Sequence, residues 1–176
     1  MSTLLDPVRD AYLRGSDALK IVRRAVSAPV PIAPTASLVQ GTLFDGLPPA
    51  NVNPQIDALQ EDLDDRTVLA YFAAFEAEMF NHLTTQRAQL HIHATAAGSV
   101  QLAAGLDDLC RALLDTFKIS RIIALFEARA GGVLATDVRV VRNYRDWIAH
   151  GKRWARPTQI SPLFAYKALN DFLAAL

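Results

Sequence analysis

The spacing of the apolar side chains is the feature that most constrains how this 176-residue chain can fold. In most segments they recur three and four residues apart, which places them on one face of an α-helix, and no segment alternates apolar and polar residues as a half-buried strand does. The longest such stretch carries Val68, Phe72, Phe75 and Met79 at intervals of four, three and four residues. The sequence therefore predicts an all-α fold, an antiparallel bundle of about five to six helices in one domain over residues 1–176.

Capping residues and glycines indicate where these helices begin and end. We expect helices over about residues 3–27, 57–88 and 100–117, a fourth capped by Ser120 and ended by Gly131 and Gly132, a fifth over 137–150, and a last one with Ser161 as its N-cap. The apolar stripe of the third helix consists of Leu102, Leu106, Leu109, Leu113 and Phe117. Its helical spacing predicts that this stripe faces the core.

Residues 28–56 interrupt the helical pattern. This stretch contains prolines at positions 29, 31, 34, 48, 49 and 54, which predicts an irregular arm or loop. It also contains apolar residues, Leu38, Leu43, Phe44 and Leu47. Because an arm with apolar side chains needs a surface to cover, we expect it to pack on something, for example a second subunit.

Composition favours a cytoplasmic protein without metal or cofactor. No apolar run approaches the 18 residues of a membrane span, and charges near the N-terminus do not fit a signal peptide. The single cysteine, Cys110, lies at a predicted core position. His82, His91 and His93 lack a cysteine or carboxylate at ligand spacing, so no metal site is expected.

Charge is distributed unevenly although the net charge is zero. Residues 1–110 hold 7 Lys and Arg against 13 Asp and Glu, and residues 111–176 hold 11 against 5. The basic excess collects near aromatic side chains, which is compatible with RNA or with an acidic protein surface as partner. The candidate RNA-binding residues are Arg139, Lys152, Arg153, Arg156 and Trp154.

The segment 136–156 holds the densest cluster of reactive side chains. Thr136 is the predicted N-cap of the fifth helix and Gly151 its predicted stop. On that helix Arg139, Asn143, Asp146 and His150 form one polar stripe, flanked by Arg142. A histidine in the last helical turn, near a carboxylate, is suited to proton transfer close to neutral pH, and guanidinium groups beside it are suited to phosphate.

The run Arg145, Asp146, Trp147, Ile148, Ala149, His150, followed by Gly151, resembles the signature of the HEPN superfamily. That signature is an arginine with a polar residue directly after it, and a histidine separated from the arginine by four to six residues, here by four. Arg142 and Asn143 repeat the arginine and polar pair at a spacing outside that signature. The position of the run, in the penultimate helix of a helical chain, also fits the family.

The resemblance implies a metal-independent endoribonuclease, used as a toxin or in antiphage defence, in which the 2′-hydroxyl of RNA attacks the adjacent phosphate. His150 would then move a proton, Arg145 and Arg142 would stabilise the five-coordinate phosphorus, and Asp146 and Asn143 would orient His150 or the RNA. The resemblance further implies a homodimer through the motif helix, which brings two histidines together, and a possible antitoxin or defence-system partner.

Two points stay open from the sequence. Arg145 and His150 lie about 140° apart on an ideal helix whereas Arg142 lies about 80° from His150, so either arginine could be the functional one. Lys152 stands where toxins with a nucleotidyltransferase antitoxin tend to carry tyrosine. The alternative function is a non-catalytic HEPN-like module for dimerisation or protein interaction.

Overall fold

A computed structural model describes residues 3–27, 38–116 and 118–176, without the side chains of Leu113 and Leu114. This part of the chain forms six helices and contains no strand, which confirms the predicted all-α helical bundle. The helices are α1 (Leu5–Ser27), α2 (Pro49–Ala96), α3 (Val100–Asp115), α4 (Ile119–Ala130), α5 (Gly132–Ala149) and α6 (Pro162–Ala174).

Helix α2 is the axis of the molecule. It has 48 residues, which corresponds to a length of about 72 Å. Its predicted stripe from Val68 to Met79 is fully buried and forms the centre of the core with residues of α1, α4, α5 and α6. The helix ends before Gly98, whose φ of 78° suits glycine.

The prediction of an irregular arm over residues 28–56 is wrong at its C-terminal end. Residues 38 and 39 are helical and residues 40–46 form turns, but residues 49–56 already belong to α2, with Pro49 in the first turn and Pro54 inside the helix. Val52 and Ile56 are buried in this stretch, so packing outweighs the helix-breaking tendency of Pro54. Residues 28–37 lie outside the described residues. Leu43 is 91% exposed, so the described part of the arm does not cover the chain's own core with this side chain.

Helix α1 packs along the first half of α2 and against α6. A Cβ atom at Gly15 would lie 3.1 Å from Leu63 Cδ2, so glycine permits the close approach of α1 to α2. At the other end, the Tyr166 hydroxyl of α6 donates to Asp6 Oδ1 at 2.6 Å, and Arg9 Nη1 donates to the Tyr166 hydroxyl at 2.8 Å. These contacts fix α1 against the helix that follows the candidate site.

Helix α3 differs from its prediction. Leu102 and Leu109, expected to face the core, are 56% and 66% exposed, and Ala103 is buried instead. Phe117 and the Leu113 side chain lie outside the described residues. Cys110 is half-buried rather than in the core. The helix is turned so that Asp107 pairs with Arg87 of α2, which leaves the leucines on the outer side.

Helices α4 and α5 meet at Gly131, whose φ of 95° ends α4 as predicted. Ser120 is not the cap of α4 but lies within it, and Lys118 holds the N-cap position. Helix α5 begins five residues before the predicted 137, and Thr136 lies inside it, where its hydroxyl donates to the Gly132 carbonyl at 2.7 Å. The predicted C-terminal end is confirmed.

Helix α6 closes the bundle over α2 and α5. The Ser161 hydroxyl accepts a hydrogen bond from the Phe164 amide at 3.1 Å, and Pro162 follows, which confirms the predicted cap. Phe172 packs edge-on against Phe75 of α2 with ring centroids 5.9 Å apart. Among the described residues, no helix combines the length and apolar character needed to cross a membrane.

Candidate functional site

The C-terminal end of α5 presents His150 to solvent. Its backbone amide donates to the Asp146 carbonyl at 3.0 Å, and the amides of Gly151 and Lys152 close the helix end by donating to the Ile148 and Trp147 carbonyls. The imidazole is exposed and lies beside the Trp154 ring, with centroids 5.5 Å apart and planes inclined by 45°.

Arg145 is anchored to α2 rather than pointing freely into solvent. Its Nη2 donates to Glu76 Oε1 at 2.5 Å and its Nη1 to Asp146 Oδ1 at 2.9 Å. Its guanidinium carbon also lies 4.5 Å from the centroid of the Phe72 ring. Two carboxylates and an aromatic face therefore compensate the charge of this arginine.

Arg142 is held more loosely. Its Nε lies 3.5 Å from Asp146 Oδ2, one helical turn along, and a third of its side chain is exposed. Asp146 thus bridges Arg142 and Arg145, and Asn143 is exposed beside them. The structure brings Asp146 into contact with Arg142, which flanks the predicted stripe, and with Arg145, which lies outside that stripe.

His150 is not joined to that cluster by a side-chain contact. Within the described residues, its imidazole makes no hydrogen bond or ion pair with Arg142, Asn143, Arg145 or Asp146. The expected orientation of the His150 ring by Asp146 is therefore absent from this conformation, in which only the backbone links the two residues.

Asp65 of α2 is a buried carboxylate that binds one side chain of α5 and one of the loop after α5. Its Oδ1 accepts a hydrogen bond from the Tyr144 hydroxyl at 2.9 Å, and Lys152 Nζ lies 2.8 Å from its Oδ2. The contact with Asp65 raises the pKa of Lys152, and burial raises the pKa of Tyr144. Lys152 adopts a φ of 59°, so its backbone turns sharply to reach this carboxylate.

Arg156 completes the attachment of the loop. Its Nη2 donates to the Tyr144 hydroxyl at 3.3 Å and lies 3.1 Å from Glu61 Oε1 of α2. The indole Nε1 of Trp147 donates to the Trp154 carbonyl at 2.9 Å. The loop between α5 and α6 is thus tied to two helices, and this fixes the Trp154 ring beside His150.

The predicted RNA-binding residues divide into two groups. Arg139 pairs with Glu127 of α4, an interaction that lowers the pKa of that carboxyl, and Lys152 and Arg156 pair with Asp65 and Glu61. Arg153 is exposed and makes no ion pair or hydrogen bond with any described residue. Trp154 is 51% exposed. Among the four basic residues of this set, Arg153 alone lacks an ion-pair partner among the described residues, whereas Lys152 and Arg156 are paired but still exposed.

Three acidic residues of α2, Glu61, Asp65 and Glu76, complete the site and were not identified from the sequence in this role. A signal for them existed, because the acidic excess of residues 1–110 equals the basic excess of residues 111–176. The two halves neutralise one another where α2 packs against α5 and the following loop. Residues 111–176 alone suggested a cationic surface, but ion pairs in the folded chain neutralise most of that positive charge.

The histidines of α2 lie apart from this site. His82 contacts the edge of the Phe126 ring, with centroids 5.3 Å apart, and burial together with Arg129 lowers its pKa. His91 and His93 are exposed near the end of α2. In the part of the chain that the structure describes, no group of three or more His, Cys, Asp or Glu side chains is placed to hold a metal ion.

Comparison with known proteins adds no relative to this description. The chain matches no protein-family model, no curated protein and no solved structure. The fold and the site geometry are therefore the only basis for a functional proposal.

Proposed function

We propose that the chain is a metal-independent endoribonuclease of HEPN type with its site at the C-terminal end of α5. The observation that carries this proposal is the exposed His150 imidazole at the end of the helix whose preceding turns carry Arg142 and Arg145, bridged by Asp146. Cleavage of RNA by its own 2′-hydroxyl requires a proton carrier and positive charge at one phosphate, and this helix end supplies both groups once their side chains turn toward the phosphate.

In the proposed reaction, the 2′-oxygen bonds to the adjacent phosphorus and the bond to the 5′-oxygen breaks. The products are a 2′,3′-cyclic phosphate and a 5′-hydroxyl. His150 takes the proton of the attacking hydroxyl or gives one to the leaving oxygen. An arginine supplies the positive charge that stabilises the negatively charged oxygens of the five-coordinate phosphorus intermediate.

Arg142 is the better candidate for the phosphate contact. It has one carboxylate neighbour at 3.5 Å, whereas Arg145 is held by Glu76, Asp146 and the Phe72 ring. Less free energy is needed to turn Arg142 toward a phosphate. Arg145 then acts as a positioning residue that fixes Asp146, and with it the side of α5 that carries Asn143.

A complete site requires two chains in this proposal. The reaction moves two protons and each chain supplies one such histidine, so a homodimer through α5 would supply both. RNA would contact Trp154 by base stacking and Arg153 by its charge, since both are exposed. The cellular setting that fits is cytoplasmic, as a toxin or defence effector held in check by a partner protein.

Cleavage of total RNA in the presence of a chelator tests the proposal. Wild type is expected to leave 2′,3′-cyclic phosphate ends, and His150→Ala is expected to reduce the rate by about 10²-fold or more. Arg142→Ala should reduce the rate strongly and Arg145→Ala should act mainly through stability. A rate that depends on added metal, or that survives loss of His150, would refute the nuclease.

The non-catalytic interaction module is the second candidate, favoured by one observation. Arg145 is bound between Glu76, Asp146 and Phe72 as a structural ion pair is. This function predicts a folded, assembled protein without RNA cleavage, and equal losses of stability for Arg145→Ala and Glu76→Ala. Retention of partner binding in His150→Ala would support it.

A further inference from the structure

A cleft lies between the segment before α1, the middle of α2 and the end of α6. It has a volume of about 530 Å³, which is within the range of small-molecule sites in proteins. The apolar residues that line it are Leu173, Ala174 and Leu176, and the polar ones are Thr3, Glu78, His82 and Asn170. A cleft with this mixed lining suits a small ligand that has an apolar part and a polar group.

Glu78 provides the single charged side chain of the cleft within the described chain. Its Oε1 accepts a hydrogen bond from the Leu4 amide at 2.8 Å, and its carboxylate makes no ion pair with any described residue. No described lysine or arginine lines the cleft, and the residues outside the described ranges have no charged side chain. The carboxylate therefore lacks a counter-charge, and the electrostatic potential in the cleft favours a cation.

His82 does not supply the missing positive charge. Burial, and after it the charge of Arg129, lower the pKa of His82, so the imidazole is neutral near pH 7. Arg129 itself lines a different groove, between α2, α3 and α4. The cleft thus combines one carboxylate with neutral polar groups.

Several of these polar groups are not satisfied by the protein. Thr3 Oγ1 and His82 Nε2 are buried and have no hydrogen-bond partner among the described residues, and the Asn170 amide makes no hydrogen bond with any of them. Buried polar atoms in folded proteins almost always have a partner. Because the two buried atoms lie beneath the surface, a ligand in the cleft meets Glu78 and Asn170 first. Both offer oxygens that accept hydrogen bonds, and an ammonium group has three N–H donors and no acceptor.

We propose that this cleft binds a small organic cation, a primary ammonium group carried on an aliphatic chain. The ammonium group lies against the Glu78 carboxylate and the Asn170 amide oxygen, and the aliphatic chain lies on Leu173 and Leu176. A carboxylate on the same chain would be repelled by Glu78, and a hydroxyl would leave the charge of Glu78 uncompensated.

The proposed site is separate from the candidate nuclease site. None of the described residues that line it belongs to α5 or to the loop after α5. Glu76, two residues before Glu78, pairs with Arg145 and does not line the cleft. Binding of the cation therefore does not depend on RNA cleavage.

Titration of the full ¹⁵N-labelled chain, followed by NMR, tests the proposal with three ligands of equal chain length. Hexylammonium is expected to shift the amide signals of Glu78 and Asn170 in a saturable way. Hexanol should bind about tenfold more weakly or less, and hexanoate should not bind. Equal or tighter binding of hexanol or hexanoate, or no saturable shift with hexylammonium, would overturn the proposal.

Two substitutions locate the site. Glu78→Gln keeps an oxygen that can accept from the Leu4 amide but removes the charge, so hexylammonium should bind about tenfold more weakly or less. Ala174→Trp fills the cleft from an exposed position and should abolish saturable binding. Asp108→Asn is the control, because Asp108 is an exposed carboxylate on α3, away from the cleft. The same spectra show whether each variant is folded. A folded Glu78→Gln or Ala174→Trp variant with the affinity of the wild type would refute the site.

Discussion

The two halves of α2 lie in different surroundings. Residues 49–79 of α2, with α1, α5 and α6, form a closed region in which apolar side chains are buried and several charged side chains are paired between helices. Its last part, residues 83–96, forms an open region with α3 and the outer face of α4, where leucines are exposed. Arg87 and Asp107 pair there, whereas Asp108, Asp115, Arg121 and Arg129 form no ion pair with any described residue.

The difference shows that charge in the sequence and free charge on the surface are separate properties. The basic cluster of α5 and the following loop is the densest in the sequence, yet three of its members, Arg145, Lys152 and Arg156, pair with carboxylates of α2. The open region has no comparable cluster of charge in its sequence, yet it carries exposed charges of both signs that form no ion pair with a described residue. The density of charge in the sequence therefore does not indicate where the folded chain presents unpaired charge.

The largest expected effect compares one buried residue with one exposed residue. Phe75 is fully buried between Phe72 and Phe172, so Phe75→Ala should lower the free energy of unfolding by about 3–5 kcal/mol. Leu109→Ala, in solution dilute enough to keep copies apart, should change it by less than about 0.5 kcal/mol. Urea denaturation measures both. Similar losses in the two variants would mean that α3 is packed more tightly than described.

The buried carboxylate of the closed region gives the next effect. Asp65→Ala removes the acceptor of the Tyr144 hydroxyl and the partner of Lys152, and we expect a loss of about 1–3 kcal/mol. Asp108→Ala in the open region removes a carboxylate without a described partner and should be nearly neutral. If thermal unfolding shows equal effects, the attachment of the loop to α2 does not contribute to stability.

A double-mutant cycle on Glu76 and Arg145 should give a coupling energy of about 1 kcal/mol. The pair is half-buried and in contact at 2.5 Å, so it should exceed a solvent-exposed pair. Asp62 and Arg66, 3.9 Å apart and mostly exposed on α2, serve as the control pair, with an expected coupling below about 0.5 kcal/mol. A coupling near zero for Glu76 and Arg145 would leave Arg145 free to contact phosphate.

The smallest expected effect is on the pH dependence of stability, to which His82 and Asp107 contribute in different pH ranges. Burial and Arg129 lower the pKa of His82, so its folded-state pKa lies below the ordinary 6.5. Stability from neutral His82 is complete above about pH 6.5 and is lost as pH falls through the lower folded pKa. Arg87 holds the pKa of Asp107 at about 2, against an ordinary 3.8. That contribution is complete above about pH 4 and is lost as pH falls toward 2.

Unfolding midpoints measured against pH can separate the two contributions. His82→Gln should remove part of the decrease between about pH 7 and 5, and Asp107→Asn part of the decrease below about pH 4. Histidine titration by NMR gives the pKa of His82 directly. A value at or above 6.5 would contradict its buried position.

Local signals in the sequence predicted the fold well where they were decisive. Ser161 with Pro162, Gly131 and Gly151 ended or began helices as expected, because caps and left-handed glycines act within a few residues. The start of α2 was missed, since Pro54 opposes a helix locally and only the burial of Val52 and Ile56 explains it. Tertiary packing cannot be predicted from a few neighbouring residues in the sequence.

The candidate site was predictable only in part. Helical spacing placed Arg142 beside Asp146, and they are in contact, whereas the contact of Asp146 with Arg145 was not part of the predicted stripe. The carboxylates of Glu76 and Asp65 come from 69 and 79 residues away in the chain, so no local spacing could indicate them. The exposed stripe of α3 was missed for the same reason, because an apolar stripe shows that a surface will be covered but not by which chain.

The measurement that tests the central proposal most directly is the rate of RNA cleavage in chelator by His150→Ala and by His93→Ala. Both histidines are exposed and near the end of a helix, so the second variant controls for loss of a surface imidazole. We predict that His93→Ala retains the wild-type rate and that His150→Ala loses about 10²-fold or more. Equal rates in the two variants, or no cleavage by the assembled wild-type protein, would contradict a nuclease centred on His150.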